Sequence, residues 1–136
     1  MSSATQYLDL EDALRLCDVL GIGPVRDLGL LGSALARPGT TLLGADAHPD
    51  LAAKSAALLE SVVQNQALLD GNKRLGWTCL VVVLDLNGIW LEVDDDEAFD
   101  LVMDVASGRA GHDVVRGVIA GWIASCAAAD RSAHRP

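Results

Sequence analysis

Basic residues are scarce in this chain of 136 residues. Lys and Arg total 10 against 19 Asp and Glu, a formal net charge of −9. That balance excludes a sequence-independent grip on DNA or RNA, which needs a basic face, and it disfavours docking on anionic lipid. Cysteine is equally sparse. Cys17, Cys79 and Cys126 are odd in number, form no CxxC pair and sit among apolar neighbours. The expectation is buried free thiols in a reducing cytosol rather than a disulfide framework. Residues 1–7 (MSSATQY) carry neither a basic n-region nor an apolar run, so no secretory signal is expected and the expected location is cytoplasmic. No apolar stretch reaches the roughly 18 residues that span a bilayer; the longest, around Leu75 to Leu84, stops at Asp85. Internal repeats, low-complexity tracts and interdomain linkers are also missing.

What remains is 51% hydrophobic and 21% charged. That is too apolar for disorder and the right length for one domain. Spacings of three and four dominate. Leu10, Ala13, Leu14, Cys17 and Leu20 make a first helix with Asp9 as N-cap. Gly21-Ile22-Gly23-Pro24 breaks it, and a short helix from about Arg26 to Ala36 follows. Residues 37–50 read as a long irregular loop of the kind that is more often functional than idle. Asp50 caps a third helix to about Gln66. After a break at residues 67–71, a buried helix runs from Asn72 to about Asn87, stopped by Asn87-Gly88. Residues 89–93 are expected to be extended. The acidic run Asp94 to Glu97 opens a fifth helix, as the dipole favours. A sixth starts at about Asp113, with Trp122 on its apolar stripe. Trp90 is expected at the surface. The expected architecture is all-α, a compact single-domain bundle of about six helices around the buried helix that begins at Asn72. It would span residues 1–129, followed by a frayed tail at 130–136.

One segment conflicts with helix physics. Lys73-Arg74 is the chain's only adjacent basic pair, and it falls in the first turn of the buried helix. That turn presents unpaired N–H groups and the positive dipole end, and it prefers Asp or Glu. The conflict vanishes if an anion binds there, with backbone N–H groups, Lys73 and Arg74 converging on phosphate oxygens. Gly71 would allow close backbone approach, and Asp70 would hold a divalent cation bridging phosphates. The alternative is a solvated cationic turn neutralised by Asp70 acting as N-cap. His48, flanked by Asp46 and Asp50, reads as an exposed loop residue. His112 reads as helix flank and His134 as tail.

The run Gln66-Ala67-Leu68-Leu69-Asp70-Gly71-Asn72-Lys73-Arg74 resembles the Fic/Doc signature H-x-F-x-D/E-G/A-N-G/K-R. That signature sits at a helix junction in an all-α fold. Lys73 resembles the Doc, or death-on-curing, toxin branch; Fic-type adenylyl transferases usually have Gly there. GIGPVRDLGLLGSALARPGTTLLG before the motif and RLGWTCLVVVLDLNG after it are also Doc-like, so the likeness covers roughly residues 6 to 125. The resemblance implies a toxin that moves phosphate from ATP to a threonine of elongation factor Tu and so stops translation. It implies Mg²⁺ on Asp70 and a cradle of Gly71, Asn72, Lys73 and Arg74 for the nucleotide phosphates. It also implies an antitoxin partner whose helical segment lies in a surface groove. Loop 37–50 matches the region that receives the target segment. The family's first motif residue is the general-base histidine, and here it is Gln66. An amide cannot accept a proton near neutral pH, so this form is expected to bind nucleotide and transfer very slowly. Gln66 is either native degeneracy or an introduced change that lets a toxic protein be produced, and the intact remainder of the motif favours the second. The alternatives are AMP transfer of the Fic type and a degenerate binding module without catalysis.

Overall fold

The computed structural model describes residues 4–133. It is helical, with six α-helices. Helix α1 spans Leu10–Leu20. The Asp9 carboxylate accepts from the Asp12 N–H at 2.8 Å, and the Asp12 carboxylate accepts from the Asp9 N–H at 3.0 Å. This reciprocal capping box satisfies two end donors at once. A strap, residues 22–27, leads to α2 at Leu28–Ala36. α2 starts two residues later than expected, because Asp27 stays extended and caps the Leu30 N–H at 3.0 Å.

Residues 37–50 are more ordered than the expected irregular loop. A single 3₁₀ turn at Arg37–Gly39 is followed by a two-stranded antiparallel hairpin, β1 Thr41–Leu42 and β2 Ala45–Asp46. Thr41 pairs with Asp46 and Leu42 with Ala45. The two loop residues, Leu43 and Gly44, both have positive φ (53° and 81°), as a two-residue hairpin loop of matching twist requires. Leucine seldom adopts that conformation, so the turn was hard to read from sequence.

α3 (Leu51–Asn65) begins at Asp50, whose carboxylate accepts from Ala53 N–H at 2.7 Å. α4 spans Asn72–Leu86, α5 Asp95–Ser107 and α6 His112–Ala133. The bundle closes around α3, not around α4 as expected. Every residue from Ala52 to Val63 is buried, whereas Trp77, Val81 and Val82 of α4 are only partly buried. Small side chains explain it: alanines on several faces of α3 let neighbours approach from all sides. On α4, Gly76 lies so close that a Cβ there would sit 2.5 Å from Val63 Cγ2. Trp77 and Trp122 meet edge to face at 5.9 Å, and Trp122 Nε1 donates to Glu97 at 3.2 Å. Glu97 thus serves a neighbouring helix, while Asp94 is the N-cap residue without a side-chain cap bond. Trp90 is exposed. Cys17 and Cys79 are buried, and burial pushes the Cys79 thiol up to about 12; Cys126 is only half-buried. α6 starts one residue earlier than expected and its helical backbone continues through Ala133. The alanines in its later turns are strong helix formers. Residues 134–136, His134 included, lie outside the described residues. No helix among the described residues is long and apolar enough to cross a membrane.

Candidate anion-binding site at the start of helix α4

The site is built by two backbone segments lying antiparallel. The strap of residues 22–27 runs against the connection between α3 and α4, with a bridge between Val25 and Leu68. Arg26 N–H and Asp27 N–H both donate to Ala67 C=O, at 2.7 and 3.1 Å. Leu69 N–H donates to Pro24 C=O at 3.0 Å, and Gly23 N–H to Asp70 C=O at 3.1 Å. Asn72, the first residue of α4, clasps the connection from the other side. Its Nδ2 donates to Leu68 C=O, its Oδ1 accepts from Leu68 N–H, both at 3.0 Å, and Nδ2 also reaches Gln66 Oε1 at 3.3 Å. The buried Asn72 side chain is therefore spent on holding the loop. Only its backbone N–H faces the helix end.

Gly71 is the N-cap, with φ of 98°, and no side chain caps the helix. Its lack of a Cβ serves protein packing: a Cβ would lie 2.6 Å from Ile22 Cβ and 2.9 Å from its Cγ2. The reading in which Asp70 caps α4 is not realised. Asp70 is exposed, and its carboxylate accepts no hydrogen bond among the described residues. The first-turn N–H groups of α4 thus open toward solvent, with Lys73 and Arg74 exposed beside them.

Those two cations stand apart from the rest. Arg15 pairs with Glu11, Arg37 with Glu60, Lys54 with Asp46, Arg109 with Asp104 and Arg116 with Asp50. Arg26 donates to the Gln66 carbonyl. Among the residues whose side chains are described, only Lys73 and Arg74 lack an acidic or carbonyl partner. In a chain of net charge −9 this is a cationic cradle left open. Gln66, at its edge, is the C-cap of α3 in left-handed conformation (φ 56°, ψ 43°). Its Nε2 donates to Val63 C=O at 2.9 Å, and its Oε1 takes the long bond from Asn72.

A carboxylate with no protein partner, beside unpaired N–H groups and two free cations, fits Mg²⁺. That ion keeps most of its waters and binds through one or two carboxylates plus phosphates. It does not fit a metal held by protein alone, since no three metal-ligating side chains converge among the described residues. The same holds around His48.

A second polar cluster was not foreseen. The Glu60 carboxylate is buried in α3 and forms an ion pair with Arg37 Nη2 at 3.0 Å, with His112 Nδ1 at 3.0 Å from Oε1. His112 is thus the first residue of α6 and a hydrogen-bonding neighbour of Glu60 rather than a mere helix flank. His48 is half-buried rather than exposed, its ring 5.2 Å from that of His112. Burial, followed by Arg37 and His112, pushes the His48 pKa down. Lys54, also buried, reaches Asp46 at 3.2 Å. These contacts tie the hairpin segment onto α3 and α6. The Glu60–His112 contact joins residues 52 apart in sequence and the His48–His112 contact joins residues farther apart still, so no local pattern signalled them. A cavity of about 460 Å³ opens between α2, the 3₁₀ turn and the last turn of α3. It reaches Asn65, and none of residues 66–74 lines it.

Comparison with known proteins defines the class. Residues 4–84 match the Fic/DOC family, and this chain belongs to it. Among curated proteins it is similar to Toxin Doc of Mycolicibacterium smegmatis, 43% identical over 125 residues that cover 89% of this chain and 96% of that one.

Proposed function

We propose that this protein is the toxin of a toxin–antitoxin pair and a phosphotransferase that moves the γ-phosphoryl group of ATP to a threonine of elongation factor Tu, halting translation in the cytoplasm. The single observation that carries the reading is the open cradle: uncapped α4 N–H groups beside Lys73 and Arg74, the two cations without a partner among the described side chains. The similarity to a protein named Toxin Doc supports the toxin role.

The chemistry needs little from the protein beyond position and charge. The threonine Oγ forms a bond to the γ-phosphorus as the bond to the β,γ-bridging oxygen breaks, and ADP leaves. The N–H groups of Asn72, Lys73 and Arg74 and the two cationic side chains would offset the charge that develops on the phosphoryl oxygens. Mg²⁺, held by Asp70, would supply further charge neutralisation on the phosphates. The hydroxyl proton needs an acceptor at position 66. Gln66 offers an amide whose two ends already engage Val63 and Asn72, so this form is slow. The hairpin at residues 41–46, with Leu42 and Leu43 exposed, is the surface that would receive the target segment. An antitoxin helix laid in a surface groove would silence the enzyme.

Lys73 favours phosphoryl over AMP transfer, since it adds a cation where adenylyl transferases of the family have glycine. The test is mass spectrometry of elongation factor Tu after incubation with ATP, Mg²⁺ and either the Gln66 protein or its Gln66→His variant. A gain of one phosphate, about 10²–10⁴-fold faster with Gln66→His, is expected. Equal rates would sink the assignment of position 66, and an added AMP would replace the reaction.

A further inference from the structure

Position 66 holds an unfavourable backbone conformation. Left-handed φ and ψ are uncommon for a residue that is neither glycine nor Asn, Asp or His, so something must hold Gln66 there. The neighbouring carbonyls at 67, 68 and 70 are taken by Arg26 and Asp27, Asn72 and Gly23 respectively. The carbonyl of residue 66 itself is taken by one group only, the Arg26 side chain. Arg26 comes from the strap and donates through both Nε (3.2 Å) and Nη2. A planar guanidinium donating twice to one oxygen fixes that peptide's direction in a way a single ammonium cannot. Arg26 is exposed, and its side chain meets no carboxylate. The contact with residue 66 is therefore the whole of the visible work of that side chain, while the Arg26 backbone N–H serves Ala67.

We propose that Arg26 is a positioning residue: it locks the backbone of position 66 in the left-handed state and so points that side chain across the start of α4, toward Asn72 and the cradle. The strap thereby supplies a working part of a site whose recognisable motif lies 40 residues away. This rests on the proposed function for its catalytic consequence, though not for its structural content. Displacing a reacting group by about 1 Å costs roughly 10²-fold in rate, and a freed peptide at 66 permits a shift of that size.

Two measurements on the full chain test it. The first is NMR of the Gln66 protein against Arg26→Ala and Arg26→Lys, reading the φ-dependent coupling at residue 66 and amide shifts over residues 66–74. Arg26→Ala is expected to lose positive φ at 66 and to shift the cradle amides, leaving Ile119 in α6 and the thermal midpoint nearly unchanged. Arg26→Lys should fall between. Should Arg26→Ala fail to fold, Arg26→Lys carries the same comparison. A retained positive φ with unmoved cradle amides overturns the proposal. The second adds each change to Gln66→His. Arg26→Ala should lower kcat by about 10–100-fold with KM for ATP within about twofold, and Arg26→Lys should recover part of it. A rise in KM alone, or an unchanged kcat, overturns the positioning role. If Gln66→His transfers nothing, the proposed function fails, and the NMR comparison still decides Arg26.

Discussion

Gly71→Ala tests how tightly the cradle is framed. Two effects act together. The glycine sits at φ of 98°, where a Cβ is strained whatever the space around it. For an L-residue the left-handed region costs about 1–2 kcal/mol. The new methyl would also lie 2.6 Å from Ile22 Cβ, 2.9 Å from Cγ2 and 3.2 Å from Cδ1. Contacts that short force the strap away from the loop, and overpacking of this kind costs about 1–3 kcal/mol. The expected loss is about 2–5 kcal/mol, a large share of the roughly 5–15 kcal/mol that stabilises a typical domain. Urea unfolding reads it directly from the midpoint. The steric part can be isolated by Ile22→Gly, which removes all three contacting atoms. The Gly71→Ala/Ile22→Gly double variant should lose about 1–3 kcal/mol less than the sum of the single changes. A Gly71→Ala protein within about 0.5 kcal/mol of the parent, or strict additivity in the cycle, would refute the reasoning that Ile22 and Gly71 define the loop's shape.

Other outcomes follow from the same contacts. Glu60→Ala should destabilise by about 2–3 kcal/mol in urea melts, below the usual cost of breaking a buried pair because Arg37 keeps water contact; a loss under about 0.5 kcal/mol would contradict it. Ser55→Ala should be neutral or stabilise by up to about 1 kcal/mol, since Ser55 Oγ is buried without a partner and alanine is the better helix former. Burial first, then Arg37, pushes the His48 pKa down, and the titratable and charged groups facing it are Arg37, His112, Lys54 and Glu60. Its contribution is therefore complete above its ordinary value of about 6.5 and is lost as pH falls through the lowered folded value. Between about pH 7 and pH 5 the parent should lose more stability than His48→Gln, read from urea midpoints at each pH; parallel curves would contradict this.

Local signals were legible in the sequence and distant ones were not. Asp9, Asp50 and the Asn87-Gly88 stop each act within a few residues, and the structure uses them as helix ends. The buried position of α3 depends on how many neighbours its small residues admit, a quantity no single stripe reveals. The Glu60–His112 contact spans 52 residues, and neither partner has a local oddity to announce it. At the candidate site the residues of the motif stood out because Lys73-Arg74 contradicts the preference of a first helical turn. Their division of labour did not. Asn72 and Gly71 read as phosphate contacts, whereas their side-chain features serve Leu68 and Ile22. Arg26 lay outside the motif and looked like an ordinary helix start.

The central claim is that the start of α4 is a nucleotide-phosphate cradle. Calorimetric titration of ATP with Mg²⁺ into the parent chain, Lys73→Ala/Arg74→Ala and an Arg109→Ala control tests it most directly. Arg109 removes a cation that pairs with Asp104, away from the motif. The account predicts saturable binding by the parent and by Arg109→Ala, and none by Lys73→Ala/Arg74→Ala. Binding that survives loss of both cradle cations, or no binding by the parent, would contradict it.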